Sequence, residues 1–187
     1  KFGTIKIIKV DAKDDEVPLA NAEFNVIDNE GIVVDTLTTD DNGIATSKEL
    51  LAGDYTLVEV KAPVGYELLD NDVTVTVEAG TEQTKKIKNE RLKGSITVYK
   101  VDDENEALAE AEFTLVGPNG YEEVKASDAE GKITFEQLEW GTYTLKETQA
   151  PEGYRLLRKE ITLEISADNL TIEETIENTK QGWSIPD

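Results

Sequence analysis

The chain repeats itself along nearly its whole length, and this duplication restricts the possible folds more than any other feature. Residues 3–11 match residues 94–102, and the later segment 53–59 matches 141–147. Repetition of a whole segment at a nearly constant spacing is typical of tandem structural units, each with its own core. We therefore predict two domains of one fold. The first domain is predicted at residues 1–91 and the second at residues 92–180. Residues 181–187 are predicted to form a C-terminal tail or linker.

Each repeat has the pattern of short β-strands. Apolar and polar residues alternate at 73–77 and 161–165, as they do when one face of a strand is buried. Clusters rich in Asp, Asn, Glu and Gly, such as 40–43 and 128–131, separate strand segments and are typical of turns. The pattern predicts an all-β fold in which each repeat forms a β-sandwich.

Two lysines interrupt strand faces that otherwise carry apolar residues. With the period of two of a strand, Lys9 shares a face with Ile5 and Ile7, and Lys100 lies at the matching position of the second repeat. Burying an isolated ammonium group is unfavourable by several kcal/mol unless the group is paired or neutralised. The same unfavourable residue in both repeats indicates a chemical role.

A glutamate and an asparagine interrupt apolar faces in the same way. Glu59 and Glu147 each end a Tyr-x-Leu-x-Glu alternation, and Asn89 and Asn178 each follow an isoleucine by two positions. The register predicts that these side chains point inward. From spacing alone, the set is equally consistent with a reactive site and with a buried Lys–Glu ion pair beside a hydrogen-bonded asparagine. In the second repeat, Glu174 shares a face with Asn178 and is an alternative carboxyl group to Glu147.

The order of these motifs resembles the CnaB-type domain, also called the SpaA-like pilin domain, of Gram-positive surface adhesins and pilins. An early strand ends in Lys-x-Asp, then come Gly-x-Tyr-Thr-Leu-x-Glu and Ala-Pro-x-Gly-Tyr, and the last strand ends in Asn. The resemblance covers both repeats and leaves only the last few residues outside. It implies two tandem Ig-like or prealbumin-like β-sandwich domains.

The resemblance also implies an intramolecular isopeptide bond in each domain, promoted by a glutamate. Carried over residue by residue, the implied bonds and their promoting carboxyl groups are Lys9–Asn89 with Glu59 and Lys100–Asn178 with Glu147. We prefer Glu147 to Glu174 because Glu147 occupies the same motif as Glu59.

The physical chemistry of a buried triad agrees with this implication. Burial favours the neutral amine, which is a nucleophile, and the protonated carboxyl group, which is a proton donor. Such a carboxyl group polarises the asparagine carbonyl, stabilises the developing oxyanion and passes a proton to the departing ammonia. Each domain reacts once with itself, so we expect self-crosslinking without a cofactor and no enzyme that turns over an external substrate.

The composition argues against several other classes of function. With 19 Lys and Arg against 40 Asp and Glu, the net charge is −21, which disfavours nucleic acid and anionic membranes as partners. The chain has no Cys and no His, so it lacks thiol chemistry and the commonest general base and metal ligand. The acidic segments 11–16 and 40–43 lack EF-hand spacing and are interpreted as solvated turns, so we predict no metal site.

The function implied by the resemblance is that of a structural stalk or shaft module in an adhesin or pilus. The expected location is extracellular, on the cell wall of a Gram-positive bacterium. The expected partners are neighbouring domains of the same surface protein and, through another region, the host extracellular matrix. Because the chain begins at Lys1 and has no Met, we expect a fragment or a processed product, monomeric in isolation. The alternative is a ligand-binding adhesin module that recognises a host matrix protein or a glycan.

Overall fold

The computed structural model describes residues 1–182, so most of the predicted tail at 181–187, including Trp183, lies outside the described residues. The fold is all-β, as predicted, and the chain separates into two compact units, Lys1–Leu92 and a second that begins at Lys93. Within residues 1–182 the single helical segment is a 3₁₀ turn at Pro118–Gly120. No helix in this part of the chain is long and apolar enough to cross a membrane.

The first unit, called domain 1 below, consists of two sheets. Its strands are β1 (Phe2–Asp11), β2 (Glu23–Ile27), β3 (Val33–Thr38), β4 (Ile44–Thr46), β5 (Leu50–Leu51), β6 (Gly53–Lys61), β7 (Val73–Val77) and β8 (Glu82–Asn89). In one sheet β1 pairs antiparallel with β4 and β5 and parallel with β8. The other sheet has the order β3-β2-β6-β7, with every neighbouring pair antiparallel.

The second unit, called domain 2 below, repeats this arrangement. Its strands are β9 (Gly94–Val101), β10 (Glu112–Val116), β11 (Glu122–Ala126), β12 (Lys132–Leu138), β13 (Gly141–Gln149), β14 (Ile161–Ile165) and β15 (Thr171–Glu177). One sheet has the order β12-β9-β15 and the other the order β11-β10-β13-β14. Here too the first strand, β9, pairs parallel with the last strand, β15.

The core of each domain lies between its two sheets. In domain 1, Ile5 and Ile7 of β1 pack in one cluster with Phe24 of β2 and Leu57 of β6, and all four are fully buried. In domain 2, the corresponding cluster includes Ile96, Val98, Phe113 and Leu145. Alternation along each strand sends one set of side chains into this layer, so a polar residue on that face is removed from water.

The parallel pairing of first and last strands brings distant parts of the sequence together. In domain 1 the ladder runs from Thr4 opposite Glu82 to Asp11 opposite Asn89. Because β1 and β8 are adjacent and run in the same direction, the start of β1 and the end of β8 lie at opposite ends of the domain. A tensile force applied to the two ends of a domain therefore loads this ladder in shear.

Candidate functional site

The three polar residues predicted for domain 1 lie together between its sheets. Lys9 is in β1 opposite Ile87 of β8, and Asn89 follows two positions later on the same face. Glu59 lies in β6 of the facing sheet. Lys9 and Asn89 are fully buried, and Glu59 is 5% exposed. The fold thus brings an amine, a carboxyl group and a carboxamide into one water-excluded layer.

Hydrogen bonds join these side chains to each other and to the backbone of β8. Asn89 Nδ2 donates to Glu59 Oε1 at 2.8 Å. Lys9 Nζ donates to the carbonyl oxygen of Ile87 at 2.9 Å, so the amine is tied to the strand that carries Asn89. The amine and the carboxamide are therefore held on adjacent strands with the carboxyl group facing them.

Domain 2 reproduces the geometry at the matching residues. Asn178 Nδ2 donates to Glu147 Oε1 at 2.9 Å, and Lys100 Nζ donates to the carbonyl oxygen of Ile176 at 2.7 Å. Lys100 Nζ lies 3.9 Å from Glu147 Oε2. Glu174, the alternative carboxyl group, is only half-buried, whereas Glu147 is 1% exposed and contacts Lys100 and Asn178. Glu147 is therefore the carboxyl group at this site.

The orientation of each carboxamide is fixed by a backbone carbonyl group. Asn89 Nδ2 also donates to the carbonyl oxygen of Glu67 at 2.8 Å, and Asn178 Nδ2 donates to that of Arg155 at 2.7 Å. A carbonyl oxygen can only accept, so the nitrogen must face it and the side-chain oxygen must point away. The nitrogen that would leave as ammonia is thus the atom that contacts the carboxyl group.

Each site contains two buried oxygen atoms without a hydrogen-bond partner. Within residues 1–182, the buried side-chain atoms in this condition are Glu59 Oε2, Asn89 Oδ1, Glu147 Oε2 and Asn178 Oδ1. Buried polar atoms in folded proteins are nearly always satisfied, because an unpaired one is unfavourable by about 1–3 kcal/mol. The same two atoms are unsatisfied at both sites, so this arrangement is common to the two domains.

Burial lowers the pKa of both lysines. Desolvation lowers the pKa of Lys9 from 10.5 to about 8, against the opposing attraction of Glu59. The pKa of Lys100 also falls to about 8 because of its burial, although Glu147 and Glu177 act in the opposite direction. A neutral amine is thereby accessible near neutral pH.

The geometry is poor for a stable ion pair, which was the other interpretation of the same residues. Charge-assisted N–H···O bonds are typically about 2.7–2.9 Å long, whereas Lys100 Nζ and Glu147 Oε2 are separated by 3.9 Å. An ammonium group has three donors, and the hydrogen bond described for each lysine goes to a neutral backbone carbonyl group. In each site the described hydrogen bond uses one of the three donors that an ammonium group would have.

Several groups that hold the site escaped the sequence analysis because they belong to the backbone. The N–H of Leu69 donates to Glu59 Oε1 at 3.0 Å, and that of Leu157 donates to Glu147 Oε1 at 2.9 Å. Together with the carbonyl groups of Glu67 and Arg155, they place the loop after β6 or β13 directly against the glutamate and asparagine side chains of each site. The nearby Ala-Pro-x-Gly-Tyr motif was the only sequence signal for this loop.

A glycine packs against the backbone of each buried lysine. The N–H of Lys9 donates to the carbonyl oxygen of Gly43, and Gly43 has a φ of +74°. A Cβ atom at Gly43 would collide with the Lys9 carbonyl oxygen, and one at Gly131 would collide with that of Lys100. The turns at 40–43 and 128–131 therefore support the strands that carry the amines.

No group of three or more potential metal-ligating residues occurs in residues 1–182.

Comparison with known proteins relates both domains to surface proteins of Gram-positive bacteria. A family model described as SpaA, prealbumin-like fold domain, matches residues 3–91 and 94–180. A collagen adhesin of Staphylococcus aureus is 28% identical, over 99% of this chain and 18% of its own length. The trypsin-resistant surface T6 protein of Streptococcus pyogenes serotype M6 is 34% identical over 56% of this chain, and the match covers 18% of that protein.

Among solved structures, the TIE protein of Bacillus anthracis is similar to this chain with 35% sequence identity and a TM-score of 0.61. The match covers 96% of this chain and 34% of that protein. The chain thus spans less than a fifth of the two surface proteins and about a third of the solved one.

Proposed function

The chain belongs to the SpaA family of prealbumin-like domains, present here as two tandem copies, and on this premise we propose that it is a load-bearing stalk or shaft module of a surface adhesin or pilus. Each domain would be locked by an autocatalytic Lys–Asn isopeptide bond. The bonds would join Lys9 to Asn89 and Lys100 to Asn178. Glu59 and Glu147 promote their formation.

The proposed reaction exchanges one amide for another. The neutral Lys9 amine attacks Cγ of Asn89, and the C–N bond to Nδ2 breaks. Lys9 Nζ loses a proton, Nδ2 gains one, and the products are an amide between the two side chains and one molecule of ammonia. Neither an oxidant nor a cofactor is needed, and the reaction occurs once per domain.

Glu59 has two roles in this step. As a protonated acid it stabilises the negative charge that develops on Asn89 Oδ1, and as a proton shuttle it serves the departing nitrogen. The contact between Asn89 Nδ2 and Glu59 Oε1 supports the second role, because this oxygen already touches the leaving nitrogen. Holding the groups in contact supplies the proximity that a reaction between free amide and amine lacks.

The observation that carries the proposal is the pair of unsatisfied oxygen atoms at each site. An added proton on Glu59 would make its Oε2 a donor, and Asn89 Oδ1 is an acceptor without a donor in the described part of the chain. The same applies to Glu147 and Asn178. A buried carboxyl oxygen and a buried carboxamide oxygen that both lack a donor support acid catalysis over a static ion pair.

The mechanical role follows from the path of force through a crosslinked domain. Force would enter at the start of β1, pass along it to Lys9, cross the bond to Asn89 and leave at the end of β8. The residues between Lys9 and Asn89 would carry no load and could not be unravelled. A crosslink that closes a loop of about 80 residues also contributes roughly 4–5 kcal/mol through the entropy of the unfolded chain.

Extracellular location and a wall-anchored parent protein are part of the same proposal. The relatives include an adhesin and a surface protein of Gram-positive bacteria, which supports the location. One relative is named for its resistance to trypsin, a property that a domain locked between its first and last strands would have. An amide crosslink, unlike a disulfide, is also insensitive to reduction.

Intact mass of the denatured chain tests the proposal. We expect the wild-type chain to be lighter than its sequence by two ammonia molecules, and Lys9→Ala or Lys100→Ala to be lighter by only one. Peptide mapping must locate the bonds, because cyclisation at Asn42-Gly43 or Asn119-Gly120 also releases ammonia. A wild-type mass without a deficit would overturn the proposal.

A further inference from the structure

Asp11 is a buried carboxylate that the proposed crosslinking step does not use. It is fully buried at the end of β1. Its Oδ2 accepts hydrogen bonds from Tyr66 Oη at 2.5 Å and from Arg91 Nε at 2.7 Å. Its Oδ1 accepts from the backbone N–H groups of Lys13 and Asp14. Although burial alone would raise the pKa of Asp11, the hydrogen bonds from Tyr66 and Arg91 hold it below its ordinary value.

The members of this cluster lie beside the reacting groups in the sequence. Asp11 is two residues after Lys9 and opposite Asn89 in the β1–β8 ladder. Arg91 is two residues after Asn89, and Tyr66 directly precedes Glu67, whose carbonyl group holds the Asn89 amide. Asp11, Tyr66 and Arg91 are called the Asp11 cluster below.

The cluster anchors the loop after β6 to the two crosslinked strands. This loop contributes the carbonyl group of Glu67 to Asn89 and the N–H of Leu69 to Glu59. Its backbone also pairs with the segment after β8, through Glu67 N–H to Glu90 and Leu92 N–H to Gly65. Tyr66, held by Asp11, is therefore linked through this loop to the backbone groups that contact Glu59 and Asn89.

We infer that Asp11, Tyr66 and Arg91 are positioning residues for the crosslink of domain 1. They fix the loop after β6 so that its backbone holds Glu59 and Asn89 in reacting geometry. The inference rests on the proposed function, since it concerns the rate of the same crosslinking step. The hydrogen bonds described for Asp11 go to Tyr66, Arg91 and two backbone N–H groups, and not to the reacting atoms.

Domain 2 has the same backbone contacts without this cluster. The matching residues are Asp102, Tyr154 and Lys180. Asp102 accepts hydrogen bonds from the backbone N–H groups of Glu104 and Glu106, and Tyr154 is only half-buried. Within residues 93–182, no hydrogen bond joins the Tyr154 hydroxyl to Asp102. One chain therefore contains a crosslinking site with the cluster and one without it, and domain 1 reacts faster than domain 2.

The experiment follows both bonds in the same molecules. The full chain is synthesised in a cell-free system in a short pulse, samples are quenched in acid, and the crosslinked peptide of each domain is quantified by mass spectrometry. The variants are Tyr66→Phe, which removes only the hydroxyl group, and Asp11→Asn. The matched control is Tyr154→Phe, the same change at a tyrosine that lacks the aspartate contact. The crosslinking rate of domain 2 serves as the internal reference.

We expect Tyr66→Phe and Asp11→Asn to slow the crosslink of domain 1 by roughly tenfold or more, as for other small displacements of reacting groups. The domain 2 rate stays unchanged, and Tyr154→Phe changes neither rate. Circular dichroism of Lys9→Ala, with and without Tyr66→Phe, measures whether the tyrosine hydroxyl group is needed for folding. It thereby separates a purely structural role of Tyr66 from an effect on the crosslinking rate. The rates are compared at a temperature where both unreacted forms are fully folded.

The inference is overturned if domain 1 of Tyr66→Phe reacts as fast as wild type while folded, or if both domains slow alike. A failure of the proposed function looks different. In that case no crosslinked peptide forms in the wild-type chain, and Lys9→Ala leaves the mass deficit unchanged.

Discussion

Lys9 and Asn89 lie on adjacent parallel strands, two positions apart in register, with both side chains fully buried between the sheets. Lys100 and Asn178 have the same relationship in domain 2. This register places a nucleophilic amine next to a carboxamide from the opposite end of the domain.

Replacing the carboxyl group by a carboxamide should abolish the crosslink of that domain alone. Glu59→Gln keeps the size of the side chain and its acceptor oxygen, but it can neither donate the acidic proton nor shuttle it. The intact mass should increase by one ammonia relative to wild type, beyond the small change from Glu to Gln. Glu174→Gln, which alters a carboxyl group away from the site, should retain both bonds.

The rate of crosslinking should fall as the pH rises above about 8. The proposed step needs one proton at the site in addition to a neutral amine. The site loses its proton as Lys9 titrates with a pKa of about 8. The rate should then decrease about tenfold per pH unit. Pulsed cell-free synthesis followed by transfer to buffers between pH 6 and 10 measures it.

A crosslinking rate that increases with pH would identify a different role for Glu59. If only the free amine were required, the rate would rise up to about pH 8 and then level off. An unperturbed lysine would move the transition to about 10.5. The position of the transition therefore tests the burial of Lys9, and its direction tests acid catalysis by Glu59.

Under force, a crosslinked domain should not release the residues between its bridged positions. In single-molecule pulling from the two ends of the chain, Lys9→Ala should add an unfolding step of roughly 280 Å, the extended length of about 80 residues. Lys100→Ala should add a step of similar length for domain 2. The wild-type chain should show neither step, and either one in fully crosslinked molecules would contradict the proposed force path.

Gly43→Ala should slow crosslinking in domain 1, because the new methyl group collides with the carbonyl oxygen of Lys9. The left-handed backbone at Gly43, with φ of +74°, adds strain for any other residue. Gly31→Ala is the matched control, since Gly31 has a φ of +81° but open space around its Cβ position. The crosslinked fraction after a fixed time should fall for Gly43→Ala and remain at the wild-type level for Gly31→Ala.

The all-β class and the family were accessible from the sequence because they depend on local patterns. Alternation along residues 5–9 placed Lys9 on the face of Ile5 and Ile7, and the structure buries all three there. The preference for Glu147 over Glu174 rested on the motif that Glu147 shares with Glu59, and alternation alone did not distinguish them. Both alternate with apolar neighbours, and the folded domain buries Glu147 but leaves Glu174 half-buried.

Alternation in the sequence specifies which side of each strand faces the core, since the period of two is a property of the backbone at each residue. The parallel pairing of β8 with β1, which puts Asn89 next to Lys9, became known from the folded domain. Strand pairing depends on packing over the whole domain, and the alternation of apolar and polar residues does not specify which strands pair. The groups of Glu67 and Leu69 that hold the site were likewise settled by the fold, because a backbone amide is the same at every residue.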